Sequence, residues 1–189
     1  MLWVGRLNAN KDPLTILEGF AQALARLPGA VLTMIYDGDE LLAAVRARLL
    51  TSPTLSARVR LVGRVPHPLM PAFYSAADLF VVGSHHEGSG YALIEACACG
   101  LVPVVPSIPT FRVLTAGGSL GALWQPGDAA SFARALVEVG QRNLTAARAQ
   151  VGAHFDRSLT WSAVGRRAMA IYQDLVTRRR PPSSRPASR

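Results

Sequence analysis

Residues 79–105 read LFVVGSHHEGSGYALIEACACGLVPVV. An apolar run at Leu79–Val82 leads into a turn bracketed by glycines, Gly83–Gly90. A helical segment at about Tyr91–Cys99 follows, and a second apolar run at Val102–Val105 closes the unit. Gly100 suits the left-handed residue that ends a helix. Two apolar strands joined through a helix lie parallel, and their near-continuous apolar character marks a sheet covered on both faces.

The same unit recurs along the chain. A strand at Leu2–Val4 precedes a helix of about Pro13–Leu27, with Ile16, Phe20 and Leu24 on one face, Asp12 as its cap and Pro13 in its first turn. A strand at Val31–Ile35 leads to a helix of about Glu40–Leu50. A third strand, Val59–Val62, leads to a short helix of about Pro68–Ala76. A sixth strand is expected at Ala122–Trp124, and helices of about Asp128–Val139, Leu144–Phe155 and Trp161–Val176 close the domain. The fold class is therefore α/β, a Rossmann-like doubly wound parallel sheet. With 189 residues the chain suits one domain, expected at residues 1–177, followed by a basic disordered tail at 178–189, RRRPPSSRPASR.

Ligands in such sheets bind at the carboxyl ends of the strands, so the loops there carry the chemistry. The turn Gly88-Ser89-Gly90 at a helix start lets backbone N–H groups approach an anion, aided by the helix dipole. Glu87 precedes that helix and Glu95 lies about one turn inside it, on one face with Tyr91. A carboxylate repels phosphate but accepts paired hydrogen bonds from vicinal hydroxyls, as on a ribose. After the first strand, Arg6 and Lys11 (the only lysine in the chain) could neutralise a diphosphate from the opposite side. Taken singly, each has an ordinary reading, as a turn, a solvated helix residue or a surface charge. Their joint placement on one edge favours a site.

Three segments together resemble the C-terminal domain of family 4 glycosyltransferases, of the two-Rossmann-domain GT-B type: VGRLNANKDPLTILEGFAQAL (4–24), LVGRVPHPLMPAFYSAADLFVVGS (61–84) and HHEGSGYALIEACACGLVPVV (85–105). Glu87 and Glu95 meet the E-x7-E pattern, with Gly63, Ala77-Asp78 and Gly127-Asp128 at the expected places. The resemblance implies that Arg6 and Lys11 bind the donor diphosphate, helped by Gly88, Ser89 and Gly90. It makes Glu87 a residue at the reacting face, contacting the donor sugar, and Glu95 the holder of the ribose. The loops after Ile35 and Gly63 would flank the base. Transfer from a nucleotide-diphosphate sugar would retain anomeric configuration and need neither cofactor nor metal, the basic pair doing that electrostatic work. Two positions depart from the family: Ser89 stands where an aromatic residue is common, and Gly83 where proline is usual. The family's N-terminal, acceptor-binding Rossmann domain has no counterpart in these residues, so an acceptor domain or second subunit is the expected partner. The alternative reading is a non-catalytic nucleotide-sugar-binding subunit or truncated remnant.

Other chemistries are disfavoured. A dinucleotide-binding turn wants G-x-G-x-x-G after the first strand, where the chain reads GRLNANK. His85 and His86 are adjacent, so at a strand end their side chains point apart, and His154 lies on a distant helix. Metal sites need convergent ligands, and none is expected here. Cys97 and Cys99 fit neither zinc spacing nor a disulfide framework and are expected as buried free thiols. The net charge of +8 owes much to the tail, which is expected to give weak contact with an anionic membrane surface. Basic residues are not interleaved with aromatic ones, so no nucleic-acid partner is expected. The start has no signal-peptide apolar region, and a cytoplasmic location, peripheral at most to the inner membrane surface, follows by default.

Overall fold

The structure, a computed structural model, describes residues 1–178. The tail expected to be disordered lies outside the described residues from 179 onward. Six strands form one sheet: β1 (Leu2–Arg6), β2 (Leu32–Asp37), β3 (Val59–Gly63), β4 (Leu79–Val81), β5 (Val102–Pro106) and β6 (Ala122–Trp124). Their order is β3-β2-β1-β4-β5-β6, and every pairing is parallel. This is the doubly wound arrangement the sequence pattern implies. The chain winds outward in both directions from the β1–β4 pair, so a crevice opens at the carboxyl ends of those two strands.

Nine α-helices are described: α1 (Pro13–Ala23), α2 (Leu42–Leu50), α3 (Pro53–Arg58), α4 (Met70–Ser75), α5 (Tyr91–Ala98), α6 (Pro109–Leu114), α7 (Ala129–Gly140), α8 (Leu144–Ser158) and α9 (Trp161–Arg178). Every residue of β4 and β5 is buried, which requires cover on both faces. α1 packs against α7 and α5 against α8. Trp3, Trp124, Phe20, Phe80 and Phe132 anchor the core.

Several caps act as the sequence implies. The Asp12 side chain accepts from the Thr15 N–H, and Asp128 from the Ser131 N–H. Gly100 is left-handed at φ +72°, and Leu101 N–H bonds back to the Ala96 carbonyl, closing α5.

The differences have local causes. α1 stops at Ala23, short of Leu27, because Leu27 precedes Pro28 and a residue before proline avoids the helical region. β2 runs two residues further than expected, to Asp37. The helix expected at Pro68–Ala76 opens instead as a 3-10 turn at His67–Leu69, where Pro68 and Pro71 remove two amide donors. α3 and α6 were not expected. Each has six residues and opens with proline, too short to show a helical period. Cys97 is buried, and its desolvated thiol is pushed up to about 12, so it stays protonated. Cys99 corrects the expectation: it sits at the frayed end of α5 and is only half-buried.

Candidate functional site

The loop after β1 folds as a 3-10 turn at Ala9–Lys11, capped by Asn8, whose side chain accepts from the Lys11 N–H. The loop after β4 lies directly against it. His85 N–H donates to the Asn10 carbonyl at 2.9 Å, and His86 N–H to Asn10 Oδ1 at 3.0 Å. Asn10 Nδ2 donates back to the His86 carbonyl at 3.1 Å. The His85 ring lies 3.2 Å from the Asp12 carboxylate.

Gly83 explains how the loops come so close. A Cβ there would meet the carbonyl oxygens of Lys11 and Asp12 at 2.8 Å each. The chain crosses itself at Gly83, and its lack of a side chain permits that approach. His85 and His86 are thus engaged in joining two loops. Among the described residues, no three His, Cys, Asp or Glu side chains converge as a metal set.

Glu87 is brought to Lys11, and the two form an ion pair. Ser84, fully buried, donates through its hydroxyl to the same Glu87 oxygen at 2.7 Å. The Glu87 carbonyl accepts from Thr110 Oγ1 at 2.6 Å. That threonine sits on α6, so a helix the sequence did not reveal fixes the loop from behind.

Gly90 opens α5 with φ +67°, a conformation glycine adopts without strain. No side chain caps this helix. The amides of Gly88, Ser89, Gly90, Tyr91 and Ala92 meet no acceptor among the described residues. Five donors at a helix start, with the dipole behind the last of them, make an anion-binding edge.

A cleft of about 540 Å³ runs along the carboxyl ends of β1, β2 and β3. Arg6, Lys11, Glu87 and Glu95 all line it. Arg6 is exposed and makes no ion pair among the described residues. Tyr36 and Asp37 after Ile35, and Arg64 and Val65 after Gly63, form its far wall, where the sequence placed two flanking loops. A smaller cavity of about 290 Å³ under the glycine turn shares Lys11 and Glu87 with the cleft and adds Gly88, Ser89 and Gly90. A larger cavity, about 810 Å³, opens near Met1, Arg60 and Asp78 at the opposite end of the strands. Ligands of such sheets bind at the carboxyl ends, so the smaller cleft is the candidate site.

Glu95 shows what the sequence missed. Its Oε2 accepts from the Tyr74 hydroxyl at 2.9 Å, and its Oε1 lies 3.2 Å from His67 Nε2. Tyr74 is buried on α4. Burial, then the charge and hydrogen bond of Glu95, push its phenol above the ordinary range, so it remains a donor. The tyrosine that serves Glu95 is therefore Tyr74. Tyr91, four residues away on the same helix, is 62% exposed and lines the smaller cavity instead. The signal was a tyrosine on an otherwise apolar helix face, where its hydroxyl needs a partner.

A Rossmann-like sheet of this order, with a glycine turn, a lysine and two glutamates at its switch point, is of the kind found in GT-B glycosyltransferases. The chain belongs to the family of glycosyl transferases group 1, whose model matches residues 1–142. It is 29% identical over 182 residues to D-inositol 3-phosphate glycosyltransferase of Thermomonospora curvata, covering 91% of this chain and 42% of that protein. It is 28% identical over 194 residues to glycogen synthase of Mycobacterium tuberculosis, covering 98% of this chain and 45% of that protein. Its fold matches Anabaena HepE in complex with UDP at a TM-score of 0.75 and 18% identity, over 92% of this chain and 48% of that one. The pneumococcal O-GlcNAc transferase GtfA, in complex with UDP and GlcNAc, matches at 0.71 and 19%, over 92% and 35%. The chain thus spans less than half the length of these relatives. No helix among the described residues is long and apolar enough to cross a membrane.

Proposed function

We propose that this chain is the donor-binding half of a retaining glycosyltransferase, holding a nucleotide-diphosphate sugar for transfer to an acceptor bound by another domain. The observation that carries this reading is one cleft that brings opposite chemistries together. Two cations, Arg6 and Lys11, line it, and the adjoining smaller cavity, which shares Lys11, lies under the open amides of Gly88–Ala92. The Glu95 carboxylate, oriented by Tyr74, lines the same cleft. Phosphate fits the cations and amides, and vicinal hydroxyls fit the Glu95 carboxylate. Both known-ligand neighbours described above hold UDP, a ligand with both groups.

The residues divide the work as follows. The amides of the glycine turn and the start of α5 receive phosphate oxygens. Arg6 and Lys11 offset the charge that grows on the diphosphate as the glycosidic bond breaks, which lowers the barrier without a metal. A diphosphate entering the cleft competes with Glu87 for Lys11. Glu87 is then freed to accept from sugar hydroxyls beside the reacting carbon. Glu95 holds the ribose and so fixes how far the sugar reaches into the smaller cavity. Ser89, exposed on the glycine turn, leaves more room there than an aromatic residue would.

Calorimetric titration with UDP and with uridine tests this division. Arg6→Ala and Lys11→Ala should each weaken UDP by about 1.5–3 kcal/mol, the range for a charge-assisted contact, and leave uridine nearly unchanged. Arg6 is the cleaner probe, because removing Lys11 also leaves Glu87 without its partner. Equal losses for both ligands would assign the two cations to the fold and remove them from a phosphate site.

A further inference from the structure

Along Ser84–Glu87 every side chain but one has an internal partner. Ser84 donates to Glu87, Glu87 pairs with Lys11, and the His85 ring lies 3.2 Å from Asp12. His86 breaks the series. Its backbone is held on both sides by one amide: Asn10 Oδ1 accepts from its N–H at 3.0 Å, and Asn10 Nδ2 donates to its carbonyl at 3.1 Å. Its ring is exposed and has no hydrogen-bond or ion-pair partner among the described residues. A free imidazole on a fixed backbone is preorganised for a ligand.

That ring lines a groove of about 400 Å³ between residues 85–88 and the start of α6 at residues 108–110. The Thr110 hydroxyl ties the two walls together through the Glu87 carbonyl at 2.6 Å. Glu87 lines this groove, the donor cleft and the cavity under the glycine turn, and Gly88 lines two of the three. The groove therefore adjoins the place where, on the reading proposed above, sugar meets diphosphate. In a transfer with retention, the bond from the anomeric carbon to the diphosphate oxygen breaks, and the new bond to the acceptor oxygen takes the same face. The acceptor's proton passes to the departing diphosphate. The acceptor oxygen has to arrive beside the diphosphate, and the groove meets it there at Gly88.

The lining of the groove selects among acceptors. No lysine or arginine lines it, and Glu87 does, which disfavours an anion. A neutral imidazole offers one donor and one acceptor and suits neighbouring hydroxyls. Exposed Pro109 supplies an apolar face for ring C–H groups.

We propose that this groove receives the reacting end of the acceptor, that this end is an uncharged sugar or polyol, and that His86 binds the hydroxyls beside the one that reacts. The proposal rests on the donor-binding reading above, and another domain supplies the rest of the acceptor site.

Proton NMR of the chain saturated with UDP is the test, with glucose, maltose and myo-inositol as probes. The His86 ring proton, identified by its absence from His86→Gln, should shift as a polyol is added, with weak but saturable binding. Saturation transfer from protein to polyol then follows the variants. His86→Ala should weaken the polyol roughly three- to tenfold, the loss of about one hydrogen bond. His86→Gln should keep part of the affinity, and His86→Trp, which fills the groove, should abolish it. UDP affinity should stay as in the unaltered chain, because His86 lines neither of the two donor cavities. Glucose 6-phosphate should bind no more tightly than glucose, and a tighter grip would overturn the uncharged class. A chain that binds UDP while no probe moves His86 would overturn the proposal and leave the donor site standing. So would polyol binding that survives both His86→Ala and His86→Trp. Failure to bind UDP at all would overturn the donor reading and this proposal with it.

Discussion

The two glutamates of the site share a residue type and differ in their neighbours. Glu87 faces a lysine and a buried serine, whereas Glu95 faces a tyrosine that stays protonated and the His67 ring. A tyrosine donor fixes one carboxylate oxygen and leaves that carboxylate's other lone pairs for two hydroxyls. Glu95→Gln should therefore weaken UDP by about 1–3 kcal/mol while the protein stays folded. Tyr74→Phe should cost less, and the loss should be as large for uridine as for UDP, since the ribose is common to both. An unchanged UDP affinity in folded Glu95→Gln would remove Glu95 from the site. At this scale the sequence was readable for where residues sit: Arg6, Lys11, Glu87 and Glu95 all line one cleft. It was not readable where the partner comes from afar in the chain. Nothing near Glu95 announces Tyr74, and nothing near Gly83 announces the carbonyls of Lys11 and Asp12.

Among the elements, those with a full period were legible and those of six residues were not. α3 and α6 bury one and two side chains respectively, too few to write a pattern, yet α6 holds the Glu87 loop through Thr110. The contact between α1 and α7 was hidden for a different reason. Gly19 lies mid-helix, where glycine usually costs stability and alanine would restore about 0.8–1 kcal/mol. Here a Cβ would meet the Ala129 carbonyl oxygen at 2.5 Å and the Phe132 ring at 2.6 Å. Overpacking of that kind costs about 1–3 kcal/mol, more than the helix gains. Gly19→Ala should thus lower the urea midpoint of unfolding. A raised midpoint would mean that α1 and α7 slide apart without loss and that the close approach is incidental.

For the whole molecule, the sheet order follows from alternation of strand and helix, but the cleft it creates is open on one side. Arg6, Gly88 and Ser89 are exposed to solvent, and the cleft carries no second wall among the described residues. Transfer to an acceptor depends on holding two substrates in register and on excluding water from the breaking bond. On the proposed reading, this chain holds only one of the two substrates. The chain is therefore expected to bind donor, and with it to gain stability by mass action, while transferring sugar slowly or not at all. Slow hydrolysis of the donor is the most an open cleft should allow, because water is the one acceptor always present. Adding an acceptor-type Rossmann domain should raise transfer and suppress hydrolysis together, since both changes come from closing the same face. Paired assays of transfer and hydrolysis on the purified chain, with and without such a domain, measure this. Rapid transfer by the chain alone, at concentrations where sedimentation shows a monomer, would mean that the cleft is complete as it stands and that the second wall is unnecessary.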